Sequence, residues 1–152
     1  MQRREIPMSA IKLKVLLVED SVSLATLYRE YLRQDKFDIT HVENGEAASN
    51  QLEQNSFDVV LLDLKLPDVS GLDILRRMLE KSIPTTTIVL TAHGSIDAAV
   101  DAMRYGAFDF LVKPIDHEDL AVTLRNAIEQ RRPKLEALCK LVDQHAIEKV
   151  VV

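Results

Sequence analysis

Short runs of apolar residues recur along this chain, and a polar residue follows most of them directly. The run at residues 59–62 is too short for a helix and is typical of a strand buried on both faces. Runs at residues 15–18, 87–90 and 110–112 predict further strands of this kind. The segment FDITHV at residues 37–42 alternates apolar and polar positions, which predicts a strand at the edge of a sheet.

Segments with apolar residues at helical spacing separate these strands. Ser21 is expected to cap a helix over residues 22–34, whose apolar positions are Leu24, Leu27, Tyr28, Tyr31 and Leu32. The turn Asn44-Gly45 leads into a second helix that extends to about Gln54. Ser70 and Asp73 predict a capping box for a third helix, before Pro84, whose inward residues are expected to be Leu72, Leu75, Met78 and Leu79.

Two more helices complete the pattern. Ser95 is expected to cap a helix that ends at Gly106 and carries on one face Ile96, Ala99, Val100 and Met103. Asp116 and Asp119 predict the start of a last helix that extends to about Gln130. Repeated strand–helix units joined by right-handed crossovers predict a doubly wound α/β fold with a parallel sheet. The carboxyl ends of its strands share one edge, where ligands bind.

The composition of the 152-residue chain, 47% hydrophobic and 28% charged, is that of an ordinary globular protein. One domain is expected over residues 13–132, after a flexible leader at 1–12 and before residues 133–152, which are expected to form a linker helix or the start of a linker to an effector domain. The start lacks a signal-peptide pattern, no apolar run approaches the roughly 18 residues of a membrane span, and Cys139 has no second cysteine to pair with. We therefore predict a cytoplasmic location. The net charge of −5 argues against direct DNA binding by this segment.

The polar residues that follow the predicted strands form a distinctive set. Glu19 and Asp20 follow the first strand, Asp63 the third, Thr91 the fourth and Lys113 the fifth. Carboxylates that converge at one sheet edge repel one another unless a cation lies between them. A partial set of carboxylate oxygens suits Mg2+, which retains water and phosphate ligands. We expect Asp63 to act there as a nucleophile toward phosphorus, with Lys113 and Thr91 binding phosphoryl oxygens.

Each of these residues also has an ordinary structural explanation. Lys113 could be a surface lysine, Thr91 a loop hydroxyl, Asp63 the start of a turn and Glu19–Asp20 a capping pair. Their occurrence together at four strand ends favours the phosphoacceptor interpretation.

Other chemistry-bearing residues give weaker signals. The histidines lack metal-ligand spacing and are expected at the surface or in loops, namely His41, His93, His117 and His145. Cys139 is expected to act as a small apolar side chain. The chain has neither a serine-hydrolase elbow nor a Walker loop.

Four motifs resemble the receiver domains of two-component response regulators. They are VLLVEDS at 15–21, LLDLKLPDVSG at 61–71, TAHGS at 91–95 and DFLVKP at 109–114. The resemblance covers about residues 13–132 and is strongest to sigma-54-dependent regulators of the NtrC and LuxO type, which include quorum-sensing regulators. It implies the CheY-like, flavodoxin-like strand order 2-1-3-4-5 and a cis peptide bond at Lys113-Pro114.

The resemblance also assigns roles to residues. It implies that a histidine kinase or phosphotransfer protein phosphorylates Asp63, and that Mg2+ is bound by Asp20, Asp63 and the Lys65 carbonyl, with Glu19 acting through water. Thr91 and Phe110 are the implied switch residues, with phenylalanine in place of the more usual tyrosine. Lys65 and His93 stand at variable positions that affect the lifetime of the phosphoryl group.

A receiver domain is a signalling domain rather than an enzyme, since it assists only its own phosphorylation and dephosphorylation. Its output face is expected to comprise the helix at 95–105, the strand at 110–112 and the last helix, with mixed charges at Asp97, Asp101, Arg104, Asp109 and Arg125. We predict a homodimer through this face and the tail residues Leu135, Leu138 and Val142. Transcriptional output would require a DNA-binding effector domain outside this segment.

Two alternative functions stay open at this point. A receiver fold that is never phosphorylated could serve only as a docking module. A flavodoxin-like domain could hold a phosphate-bearing cofactor at the same edge, although such a site favours backbone amides over carboxylates.

Overall fold

A single parallel sheet organises the molecule, and the computed structural model describes residues 12–92 and 96–130. Its strands lie in the order β2-β1-β3-β4-β5. They are β1 (Leu13–Val18), β2 (Phe37–Val42), β3 (Val59–Asp63), β4 (Thr86–Thr91) and β5 (Asp109–Val112). The doubly wound class, the strand order and the edge position of β2 are all confirmed.

Helices connect the strands on both faces of the sheet. They are α1 (Val22–Tyr31), α2 (Gly45–Gln54), α3 (Gly71–Glu80) and α4 (Ile96–Arg104), followed by α5, which begins at residue 117 and continues through residue 130, where the description ends. The predicted caps at Ser21, Ser70 and Asp116 accept hydrogen bonds from backbone N–H groups in the first turn of each helix. Asn44, predicted only as part of a turn, caps α2 in the same way. These side chains satisfy donors that have no intrahelical acceptor.

The sheet separates two apolar cores. On one face α1 and α5 pack against β1 and β3, with Tyr28 and Leu124 among the fully buried side chains. On the other face α2, α3 and α4 contribute residues such as Leu52, Met78 and Ala102. Because β1 and β3 supply side chains to both cores, their residues form continuous apolar runs.

Several predicted helix positions were wrong. Helix α1 ends at Tyr31 rather than at residue 34, because the Arg33 and Asp35 N–H groups bond to carbonyls three residues back and the chain turns. Leu79, predicted to face inward, is 57% exposed, and Leu27, one of the apolar positions of α1, is 41% exposed. Helical spacing identifies an apolar stripe but not which edge of it meets the sheet, and in α3 that edge contains Ile74 instead of Leu79.

Helix α4 divides the apolar residues predicted on one face between the sheet and the surface. It packs through Ala99 and Ala102, while Ile96, Val100 and Met103 are exposed. Small residues at the contact bring the helix close to the sheet and leave its larger apolar side chains outside.

Two backbone predictions are confirmed. Gly106 ends α4 with a φ of 95°, a left-handed conformation that favours glycine, and the Lys113-Pro114 peptide bond is cis. Other predictions lie outside the described residues, among them the Ser95 cap, the leader before residue 12 and the tail at 133–152. The domain boundaries therefore stay predictions. No helix within residues 12–92 and 96–130 has the length and apolar character to cross a membrane.

Candidate functional site

The polar residues singled out in the sequence lie together at the carboxyl edge of the sheet. Asp63 and Thr91 are the last residues of β3 and β4, and Glu19 directly follows β1. The Lys113 N–H donates to the Thr91 carbonyl at 2.8 Å, which joins the end of β5 to the end of β4. Strand pairing therefore places residues that are distant in sequence beside one another.

The Lys113 ammonium group lies between two buried carboxylates. Its Nζ atom is 2.8 Å from Oδ2 of Asp63 and 3.0 and 3.1 Å from the two Oε atoms of Glu19. Glu19 is fully buried and Asp63 is 4% exposed. Buried charges require such partners because desolvation is costly. The interpretation of Lys113 as a solvated surface lysine is thereby excluded.

Burial and close neighbours shift the protonation of this cluster. Burial, together with the hydrogen bond to Asp63, raises the pKa of Glu19 to about 8, although Lys113 opposes this shift. Burial alone would lower the pKa of Lys113, but the hydrogen bonds to Asp63 and Glu19 outweigh it and the pKa is raised. Lys113 thus carries a positive charge, and its ammonium group is shared between the carboxyl groups of Asp63 and Glu19.

Glu19, Asp20 and Asp63 form a cluster that can hold a metal ion. One carboxylate oxygen from each lies within 4.8 Å of the others. Opposite ligands of one Mg2+ ion stand about 4.2 Å apart, at about 2.1 Å from the metal each, so the three oxygens lie close to the spacing that a single ion requires. Hard carboxylate oxygens are also the ligands that Mg2+ prefers. The donor set therefore fits magnesium, with the exposed Asp20 open to solvent.

The segment after Asp63 orients its carboxylate. The Lys65 N–H donates to Oδ1 of Asp63 at 2.9 Å, while Lys113 binds the other oxygen. The chain then returns through a bridge between Lys65 and Ser70, and the Gly71 N–H donates to the Leu64 carbonyl at 2.8 Å. A Cβ atom on Gly71 would lie 2.4 Å from the Asp63 carbonyl oxygen, so only glycine permits this close return.

The two predicted switch residues differ in exposure. Thr91 is buried, and its hydroxyl donates to the Ala92 carbonyl at 3.3 Å. Phe110, on the edge strand β5, is 39% exposed. Phe110 pairs with Val89, which belongs to the core beneath α2, α3 and α4, so Phe110 lies on the face of the sheet that α4 covers.

Two residues that touch this region were missed in the sequence. His41, predicted at the surface or in a loop, is instead half-buried on β2, and its Nε2 atom lies 2.7 Å from the Glu19 carbonyl oxygen. Asp68 accepts hydrogen bonds from the N–H groups of Gly45 and Glu46 at the start of α2. The position of His41 near the end of β2 could have predicted its place near the acidic cluster. No local sequence pattern identifies the long-range contact of Asp68.

The remaining histidines are His93, His117 and His145. His117 is exposed, as predicted, and contacts the Tyr31 ring and carbonyl oxygen. His93 and His145, like Cys139, lie outside the described residues.

Comparison with known proteins identifies a family. The profile described as "Response regulator receiver domain" matches residues 15–125. The regulatory protein LuxO of Vibrio cholerae is 47% identical over 114 residues, which are 75% of this chain and 25% of that protein. The response regulator protein PilR of Pseudomonas aeruginosa is 36% identical over 123 residues, which are 81% of this chain and 28% of that protein. The chain thus spans about a quarter of the length of these relatives.

A solved structure agrees with these matches. The signal receiver domain of a LuxO repressor protein from Vibrio parahaemolyticus superimposes with a TM-score of 0.78 at 44% identity. The match covers 85% of this chain and 98% of that domain. The family resemblance drawn from the four sequence motifs, including its LuxO-type character, is confirmed.

Proposed function

We propose that this chain, which belongs to the family of response regulator receiver domains, accepts a phosphoryl group on the Asp63 carboxylate. One observation carries the proposal. The Asp63 carboxylate is held by Lys113 and by the Lys65 N–H within reach of two further acids. An oriented carboxylate beside a cation and a metal-binding cluster has the features that nucleophilic attack on phosphorus requires.

Asp20, Asp63 and the Lys65 backbone carbonyl are the proposed protein ligands of Mg2+. When bound, Mg2+ supplies positive charge that offsets the charge of the incoming phosphoryl oxygens. Glu19 is fully buried and bonded to Lys113, which supports an indirect role through water rather than direct ligation.

In the proposed transfer, an Asp63 oxygen forms a bond to phosphorus. The phosphorus–nitrogen bond of a phosphohistidine donor breaks, and its electron pair stays on the imidazole. Lys113 and the Thr91 hydroxyl then bind phosphoryl oxygens on Asp63. The proposed donor is a histidine kinase or histidine phosphotransfer protein, and later hydrolysis restores the free carboxylate. This role is that of a phosphoacceptor signalling domain.

The proposed output is a change of the face formed by α4, β5 and α5. Phosphorylation draws Thr91 toward the phosphoryl group, and Phe110 turns from its exposed position into the space behind it. This face already exposes a set of apolar side chains, namely Ile96, Val100, Met103, Phe110, Val112 and Val122. An exposed apolar patch of this kind is typical of an interaction surface.

A second copy of this chain is the proposed partner for that face. Asp97 and Arg104 lie at opposite ends of α4 and offer charges that a symmetric dimer can pair. Arg125 is less suited to this, because it already lies 3.9 Å from Asp35 of its own chain. The predicted contribution of Leu135, Leu138 and Val142 concerns residues outside the described part of the chain.

The larger protein would use this switch to control transcription. The relatives named above are regulatory proteins about four times the length of the match, which supports an effector domain beyond this segment. DNA binding, sigma-54 dependence and a role in quorum sensing belong to that proposal. The comparisons support neither the flavodoxin-like ligand-binding alternative nor a docking module that is never phosphorylated.

The mass of the intact protein tests the phosphoacceptor role. Incubation with acetyl phosphate and Mg2+ is expected to add one phosphoryl group, and Asp63→Asn is expected to abolish this addition. Asp58→Asn is the matched control, since Asp58 lies just before the opposite end of β3. Equal phosphorylation of the Asp63→Asn protein would contradict the proposal.

A further inference from the structure

The turn between β2 and α2 is attached to the acidic cluster and to the loop after Asp63. On one side, the Glu19 N–H donates to the Val42 carbonyl at 3.1 Å, and His41 contacts the Glu19 carbonyl oxygen. On the other side, Asp68 binds the first residues of α2. The turn therefore connects the two chain segments that carry the proposed metal ligands.

Asp68 makes an unusually complete set of backbone contacts. Its Oδ1 atom accepts from the Gly45 N–H at 2.8 Å and from the Val69 N–H at 2.9 Å, and Oδ2 accepts from the Glu46 N–H at 2.9 Å. The first N–H groups of a helix have no acceptor within the helix. The bond from Gly45, followed by that from Glu46, lowers the pKa of Asp68, so it binds the helix start as a carboxylate.

Asp68 stands at the tip of the loop formed by residues 64–71. The base of this loop is closed by the Lys65–Ser70 bridge and by the hydrogen bond from Gly71 to Leu64. Lys65 therefore belongs to the closed base of this loop, three residues before Asp68 at its anchored tip. The loop also packs tightly against α2, because a Cβ atom on Gly45 would lie 2.2 Å from Cγ2 of Val69.

We propose that Asp68 is a positioning residue for the magnesium site. By attaching the tip of the 64–71 loop to the start of α2, it fixes the Lys65 backbone carbonyl relative to Asp63 and Asp20. The inference rests on the proposed function for the identity of the ligands. It assigns to Asp68 no contact with the metal or with phosphate.

Calorimetric titration of the full chain with Mg2+, without any phosphodonor, tests the inference. Asp68→Ala is expected to weaken Mg2+ binding about tenfold, as loss of a residue supporting a metal ligand commonly does. Asp68→Asn is expected to be intermediate, because its single amide oxygen can still accept from Gly45 but its amide nitrogen cannot accept from Glu46. Asp58→Ala is the control, since it removes a similar 2.8 Å bond, to the Lys14 N–H, at the far end of β3.

Gly45→Ala tests the same contact between the loop and α2 by a second substitution, again through the Mg2+ affinity. It retains Asp68 but displaces Val69, and we expect weaker Mg2+ binding again. Unchanged Mg2+ affinity in both Asp68→Ala and Gly45→Ala would overturn the inference. Equal loss in Asp68→Asn and Asp68→Ala would also overturn it, because charge rather than loop geometry would then be responsible.

Phosphorylation kinetics separate this inference from the proposed function. With acetyl phosphate, Asp68→Ala is expected to need more Mg2+ for half-maximal rate while its rate at saturating Mg2+ approaches that of the parent. A purely structural role would lower the melting temperature without moving the Mg2+ requirement, and would contradict the inference. If the parent binds Mg2+ but is never phosphorylated, the proposed function fails and the calorimetric comparison still decides the role of Asp68.

Discussion

The Nζ atom of Lys113 lies 2.8 Å from Oδ2 of Asp63 and 3.0 Å from Oε1 of Glu19, so one ammonium group serves two buried carboxylates. Removing one partner from such a group leaves the other charges uncompensated in a poorly solvated place. Lys113 therefore has a structural role before any phosphoryl group arrives, and a chemical role afterwards.

Replacing Lys113 is expected to destabilise the protein. We expect Lys113→Ala to lower the free energy of unfolding by about 3 kcal/mol in EDTA, the usual cost of breaking a buried ion pair. Lys81→Ala is the matched control, because its ion pair with Glu53 is exposed and such pairs contribute little. Urea unfolding measures the free energy of unfolding of both variants. Equal losses in the two variants would contradict the central place given to Lys113.

Glu19 is expected to make stability depend on pH in the absence of metal. Its pKa is raised to about 8 in the folded protein, above the ordinary carboxyl value of 4.5, so folding favours the protonated form. The stability associated with that proton is present below about pH 4.5 and is lost as the pH rises through about 8. In EDTA, the unfolding free energy should fall across this range, and Glu19→Gln should flatten the curve. An identical slope in the variant would rule out this assignment.

The sequence predicted the site better than it predicted the helix faces. Glu19, Asp63, Thr91 and Lys113 could be grouped because each follows an apolar run, and parallel strands bring such positions to one edge. Burial in α3 depended on packing that periodicity does not encode, which is why Leu79 was assigned inward. Periodicity likewise grouped Ala99 and Val100 on one face of α4, although Ala99 is buried and Val100 is exposed.

Long-range contacts were also beyond the sequence patterns. Asp68 and Gly45 are 23 residues apart in the sequence. The hydrogen bond between them forms because the loop at residues 64–71 approaches the start of α2. In the sequence, Asp68 appeared only within the motif at residues 61–71, and Gly45 only as part of a turn. The two residues come into contact only when the chain folds.

Thr91 is expected to affect output more than phosphorylation. Its hydroxyl is proposed to follow the phosphoryl group, so Thr91→Val should still yield a phosphorylated protein but one with a weakened switch. Thr91→Ser retains the hydroxyl and should keep most of the response. Sedimentation with Mg2+ and beryllofluoride, which mimics the phosphoryl group, reports the response. A Thr91→Val protein that responds like the parent would remove the hydroxyl from the switch.

The exposed apolar face is expected to mediate dimerisation. Val100→Lys places a charge within the face formed by α4, β5 and α5 and should weaken the dimer formed with Mg2+ and beryllofluoride, because the charge would be desolvated at the interface. Leu27→Lys is the control, since Leu27 is 41% exposed on α1, a helix that is not part of this face. Sedimentation equilibrium compares the two. A parent protein that stays monomeric in every condition, or equal weakening by both variants, would contradict the assignment.

Chemical mapping of the phosphorylated residue tests the central claim most directly. The protein is incubated with acetyl phosphate and Mg2+, the acyl phosphate is reduced with borohydride, and the reduced residue is located by peptide mass spectrometry. We expect the label at Asp63 alone and its loss when Mg2+ is removed with EDTA. A label at Asp20, Asp58 or Asp68, or no Mg2+-dependent label at all, would contradict the account.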